Sequence, residues 1–179
     1  MAVPYRKTPR ATATGLAAFI DVVWIEIDRS LYGGLLIVDG LGQPVEFVNN
    51  NAVAPTGMMW NSDNSVRLGT PRLVHSLFDT CRREPDLIVA LPSLGDADFL
   101  NAEIAPAVPL AQVTPARDGL PAEWNWINTP PTPGMRASFV AAELERRGLF
   151  LEPFSRLREA LRVVYPHAAW HSLKDDDGV

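Results

Sequence analysis

FIDVVWIEIDRSLYGGLLIVDGLGQPVEFV, residues 19–48, is the stretch on which the fold turns. In an extended strand, Phe19, Asp21, Val23, Ile25 and Ile27 fall on one face, and Ile20, Val22, Trp24, Glu26 and Asp28 on the other. Both faces stay largely apolar until the end, the pattern of a central strand covered on two sides. Arg29-Ser30-Leu31-Tyr32-Gly33 reads as a turn and residues 34–38 as a second strand. Asp39-Gly40-Leu41-Gly42 is a hairpin signal, because aspartate and glycine tolerate positive φ. Residues 44–48 then form a third strand, so the chain opens with a three-stranded antiparallel meander.

Working outward, residues 49–69 show no periodicity. Thr70 is placed to cap a helix with Pro71 at its first position, and Leu73, Val74, Leu77, Phe78 and Cys81 form its apolar stripe. Residues 86–91, DLIVAL, read as a buried strand parallel to the first. Asp96 is positioned to cap a short helix, and 108–114 reads as a fifth strand, with Pro109 pointing to a sheet edge. Residues 115–135 carry five prolines and read as a linker or flap; Trp124 and Trp126 flank Asn125 there. Helices over 135–147 and 153–165 follow, stopped by Gly148 and Pro166. The expected organisation is a flexible arm over 1–15, one α/β domain over 16–166, and a polar tail over 167–179.

Composition narrows the function classes. Apolar residues make up 47% and charged residues 21% of 179, enough to bury a core without metals or disulfides. The net charge of −5 argues against a broad phosphate-binding face and leaves only a local basic cleft open. The single cysteine, Cys81, excludes an intramolecular disulfide or a multi-cysteine zinc site, and reads as a small buried hydrophobe. No apolar run approaches the ~18 residues of a membrane span. Arg6, Lys7 and Arg10 have no secretory apolar region behind them, so a cytoplasmic location is expected. His75, His167 and His171 form no metal-binding pattern, and neither phosphate-cradling glycine loop is present.

The order β-β-β-α-β-α-β-α-α, together with residues 25–48, resembles the ribonuclease-H-like superfamily, which includes Holliday-junction resolvases and repair endonucleases. The resemblance implies a mixed sheet with flanking helices and an aspartate ending the first strand, a position that Asp28 fits. It also implies further carboxylates, on or near the fourth strand and on a late helix, converging to hold two hard cations. Glu26 shares the side of Asp28 if the strand alternates that far. The fourth strand instead ends Val89-Ala90-Leu91-Pro92-Ser93, with Asp96 and Asp98 a few residues on. The late helices offer Glu143, Glu145 and Glu159.

The pattern leads to an accessory, non-catalytic subunit with a degenerate ribonuclease-H-like core. It acts through protein contacts in a larger, nucleic-acid-processing assembly. Trp60, Trp124 and Trp126 are the expected anchors for a protein partner, since loop tryptophans are enriched at interfaces. The alternative is a metal-dependent nuclease using Asp28 with Glu26, Asp96, Asp98 and Glu143, with Mg2+ or Mn2+ held at Asp28. A small-molecule pocket at the carboxyl end of the 86–91 strand is a third reading.

Overall fold

The computed structural model describes residues 15–54, 62–103, 108–114 and 123–170. Trp60, His171 and the expected arm up to residue 14 lie outside them, as does the tail from 171.

Three long strands open the chain: β1 (Leu16–Ile25), β2 (Ser30–Asp39) and β3 (Pro44–Val53). They pair antiparallel in sequence order. The turn lies earlier than the sequence suggested, at 26–29, and Arg29 takes the left-handed conformation (φ 47°) that reverses the chain. Leu31, Tyr32, Gly33 and Gly34 belong to β2 instead. The physical reason is packing. A Cβ on Gly33 would meet Leu73 at 2.9 Å, and one on Gly34 would meet Leu157 at 3.0 Å. These two glycines serve close helix approach from both faces, a strand use of glycine that looks like a turn signal in sequence.

α1 (Ser62–Thr80) begins well before Thr70 and carries Pro71 inside it. Within it, Gly69 admits the close approach of Leu31, whose side chain a Cβ at that position would meet. β4 (Leu87–Ala90) runs parallel to β1, as expected from its unbroken apolar run. A short 3-10 turn leads to α2 (Ala97–Glu103), and Asp96 caps it by accepting the Phe99 N–H at 2.8 Å. β5 (Leu110–Thr114) is parallel to β4. It is not the edge, however, because β6 (Glu123–Trp126) pairs antiparallel outside it. Pro109 precedes the first strand residue, so its missing N–H costs the ladder nothing. The proline-rich segment therefore contains regular structure where its proline-free stretch permits it. α3 (Arg136–Arg146) and α4 (Glu152–Val164) close the fold.

The result is a mixed six-stranded sheet in the order β3-β2-β1-β4-β5-β6. It is an α/β arrangement in which an antiparallel meander is extended by the parallel strands β4 and β5 and closed at the edge by the antiparallel β6. Alternation along the strands divides the core in two. Ala17, Phe19, Leu36, Val89 and Val113 face α3 and α4, whereas Ala18, Ile20, Leu35, Ile88 and Leu110 face α1 and α2. Phe19 meets Phe154 of α4 edge to face, with ring centroids 5.1 Å apart. No helix among the described residues is long and apolar enough to cross a membrane.

Candidate functional site

Odd-numbered residues of β1 face α3 and α4, so Asp21 is carried into that core layer, where it is 1% exposed. A buried carboxylate needs a compensating partner. Arg158, on the inner face of α4, donates from Nε to Asp21 Oδ2 at 2.6 Å. Leu91 follows β4 and, continuing the Ile20–Ala90 register, falls beside Asp21; it too is buried in this layer. At the sheet centre the Asp21 carboxylate therefore meets the Arg158 guanidinium, with Leu91 in the same layer. Sequence reasoning missed Asp21, reading it only as one position of a strand face. The available signal was a lone charged residue inside an otherwise apolar run, which demands a partner elsewhere in the chain.

The expected carboxylates are spread over separate elements: the turn after β1, the start of α2, and the helices α3 and α4. β1 ends at Ile25, so Glu26 and Asp28 lie in the turn, and strand alternation does not bring them together. Glu26 is exposed and accepts the Trp24 indole N–H at 2.5 Å. Asp28 lies beyond a strand that runs about 13 Å past Asp21, at about 3.3 Å per residue. Its Oδ2 accepts from the Tyr32 hydroxyl at 3.2 Å and the Ala169 N–H at 3.0 Å. Trp170 packs on Tyr32 with centroids 5.3 Å apart and donates its indole N–H to Tyr165 O. Asp28 thereby fastens residues 166–170 to the meander. Residues 167–170, expected as the start of a solvated tail, are packed down instead because Ala168 and Trp170 have apolar surface to bury.

Asp96 caps α2, and Asp98 is exposed in the first turn of that helix. Glu143 of α3 pairs with Arg146 at 2.8 Å and Arg147 at 3.2 Å. Those hydrogen bonds hold its carboxyl below the usual range. Among the described residues, no group of three or more histidine, cysteine or acidic side chains is gathered to hold a metal ion. Among those residues, then, the donor set does not fit a two-cation centre, which needs several converging carboxylates. The Cys81 thiol, half-buried near Glu46, is pushed up by burial, which keeps it from the thiolate form a nucleophile needs.

Trp124 and Trp126 do lie on one side of β6, as an extended segment requires. That side is the α3–α4 layer. The rings stack on each other at 6.0 Å, and Trp124 meets Phe150 edge to face at 5.1 Å. Both are half-buried against the core. The double change Trp124→Ala and Trp126→Ala is therefore expected to lower the melting temperature, by roughly 2–4 °C for each kcal/mol lost. An unchanged thermal transition would return both rings to a purely recognitive role.

Among the described residues, cavities lie on both sides of α1. One, of about 410 Å3, lies at the carboxyl end of β4 and is lined by Arg67, Thr70, Ser93 and Asp96 among others. The other, of about 160 Å3 and mostly apolar, lies by the free end of β1, with Trp24, Leu31, Val53, Leu68 and Arg72 in its wall.

No family model matches this chain. No curated protein matches it either. Several solved structures overlay on it. Endonuclease V from Bacillus subtilis is 14% identical over 59% of this chain and 48% of its own, with a TM-score of 0.42. Endonuclease V from Ciona intestinalis, in complex with a 24mer DNA containing an inosine followed by a ribo-adenosine, is 11% identical over 74% of this chain and 55% of its own, at 0.40. Marinitoga piezophila Argonaute, in complex with 5' OH guide RNA, is 12% identical over 56% of this chain and 16% of its own, at 0.35. The chain spans about half the length of the endonuclease V structures it overlays.

Proposed function

We propose that this chain is an accessory, non-catalytic protein that works through protein contacts in a nucleic-acid-processing assembly. The observation that carries this reading is the Asp21–Arg158 pair. The buried carboxylate of the central strand is neutralised by a cation from the late helix, with Leu91 beside it. Such a centre engages the carboxylate with a cation from the protein itself and offers little to a hard divalent ion. The remaining acids support the same reading, because Asp28, Asp96 and Glu143 hold a C-terminal segment, a helix start and two arginines. The nucleic-acid setting rests on the sheet order β3-β2-β1-β4-β5-β6.

The rival is cleavage by Asp28 with neighbouring carboxylates. Labelled single- and double-stranded DNA and RNA, incubated with the pure protein in Mg2+ or Mn2+, separate the two. The expected result is no cleavage above the protein-free control. Cleavage that Asp28→Asn abolishes would establish the nuclease instead.

A further inference from the structure

We propose that the outer edge of β3 is a two-fold contact surface for a second copy of this chain, joining two sheets into one. β3 is outermost in the sheet and ten residues long. Edges of this length are normally blunted by charge, proline or a bulge. Here those devices cluster at one end: Pro44, Glu46 and the irregularity at Ile37/Val38. From Phe47 through Ala54 there is neither a charge nor a proline.

The exposed backbone has a definite phase. The Ala54 N–H donates to Arg29 O at 2.8 Å, so even-numbered residues turn their backbone groups toward β2 and odd-numbered ones turn them outward. The outward Asn51 N–H is met only locally, by Asn50 Oδ1 at 2.9 Å. The sequence Phe47-Val48-Asn49-Asn50-Asn51-Ala52-Val53 is nearly symmetric in residue type about Asn50. An antiparallel copy related by a two-fold axis at Asn50 sets Asn49 against Asn51, Val48 against Ala52 and Phe47 against Val53. Odd positions then oppose odd positions, so outward backbone groups meet outward groups. The same register covers Val53, which is 70% exposed. Self-complementarity of this kind is what an isologous contact requires.

α1 supplies matching charge. The Asn50 amide donates to Ser76 Oγ at 2.9 Å, and the Arg82 N–H donates to Glu46 Oε1 at 2.9 Å. Arg72 shares a cavity wall with Ala52 and Val53. α1 therefore runs antiparallel to β3, with Ser76 level with Asn50. The axis that pairs the strands brings Arg72 of one copy level with Asp79 of the other, and both residues are exposed.

Sedimentation equilibrium on the full chain, up to about 100 µM, tests this. The wild type is expected to form dimers. Asn51→Pro removes the outward N–H without touching the ladder to β2, and is expected to weaken dimerisation at least about tenfold. Arg72→Asp, an exposed change that spares the strand, is expected to weaken it as well, and adding Asp79→Arg to restore it. A wild type that stays monomeric throughout would overturn the proposal, and so would a dimer left intact by both Asn51→Pro and Arg72→Asp.

Discussion

Arg158→Ala is expected to lower the free energy of unfolding by about 3 kcal/mol, the lower end of the range for stripping a buried carboxylate of its partner. The Asp21 side chain is 2% exposed and that of Arg158 25%. Loss of the guanidinium takes a 2.6 Å ion pair away from a carboxylate buried on β1, whose neighbouring layer holds Phe154, Leu157 and Leu91. Removing both charges together, as Asp21→Leu with Arg158→Met, is expected to recover most of that loss, because well-packed apolar side chains replace buried ion pairs at little cost. Urea unfolding of both variants measures the difference. A loss below about 0.5 kcal/mol for Arg158→Ala, the scale of surface changes, would show that the pair is not what holds Asp21 in place.

Ile88→Ala is expected to cost about 2–5 kcal/mol through lost burial and the cavity left behind. Ile88 is 1% exposed on β4, between the paired strands β1 and β5 and beneath the α1–α2 layer. Phe78→Ala should cost less than a fully buried ring would. The sequence stripe treats Phe78 as equivalent to Leu77, yet Phe78 is half-buried at the margin of that cluster while Leu77 is fully enclosed. Unfolding curves for the two variants should therefore separate, with Ile88→Ala the weaker protein. Equal and small losses would mean that the core lies elsewhere.

Residues 19–48 and 86–91 made the sheet legible, because two-sided apolar strands and an aspartate-glycine turn leave few arrangements. The parallel pairing of β4 with β1 followed from the same run. Boundaries were less legible where one residue type serves two ends. Gly33 and Gly34 signal a turn in sequence, but in the fold they admit Leu73 and Leu157. Pro71 signals a helix start, but α1 passes through it. β6 was hidden among prolines, since four residues carry too little pattern to stand out. The site was the least legible part. Asp28 drew attention because it follows an apolar strand, a position shared by catalytic groups and ordinary turn residues. Asp21 is paired with Arg158, a contact spanning 137 positions that no local pattern encodes.

Calorimetric titration of Mn2+ into the wild-type protein tests the central claim most directly, because it reads the carboxylates without depending on any substrate. A sheet centre held by Asp21 and Arg158 predicts no saturable heat up to millimolar metal. Saturable binding that Asp21→Asn or Asp28→Asn removes would contradict it, and would show that these carboxylates serve a cation rather than the fold.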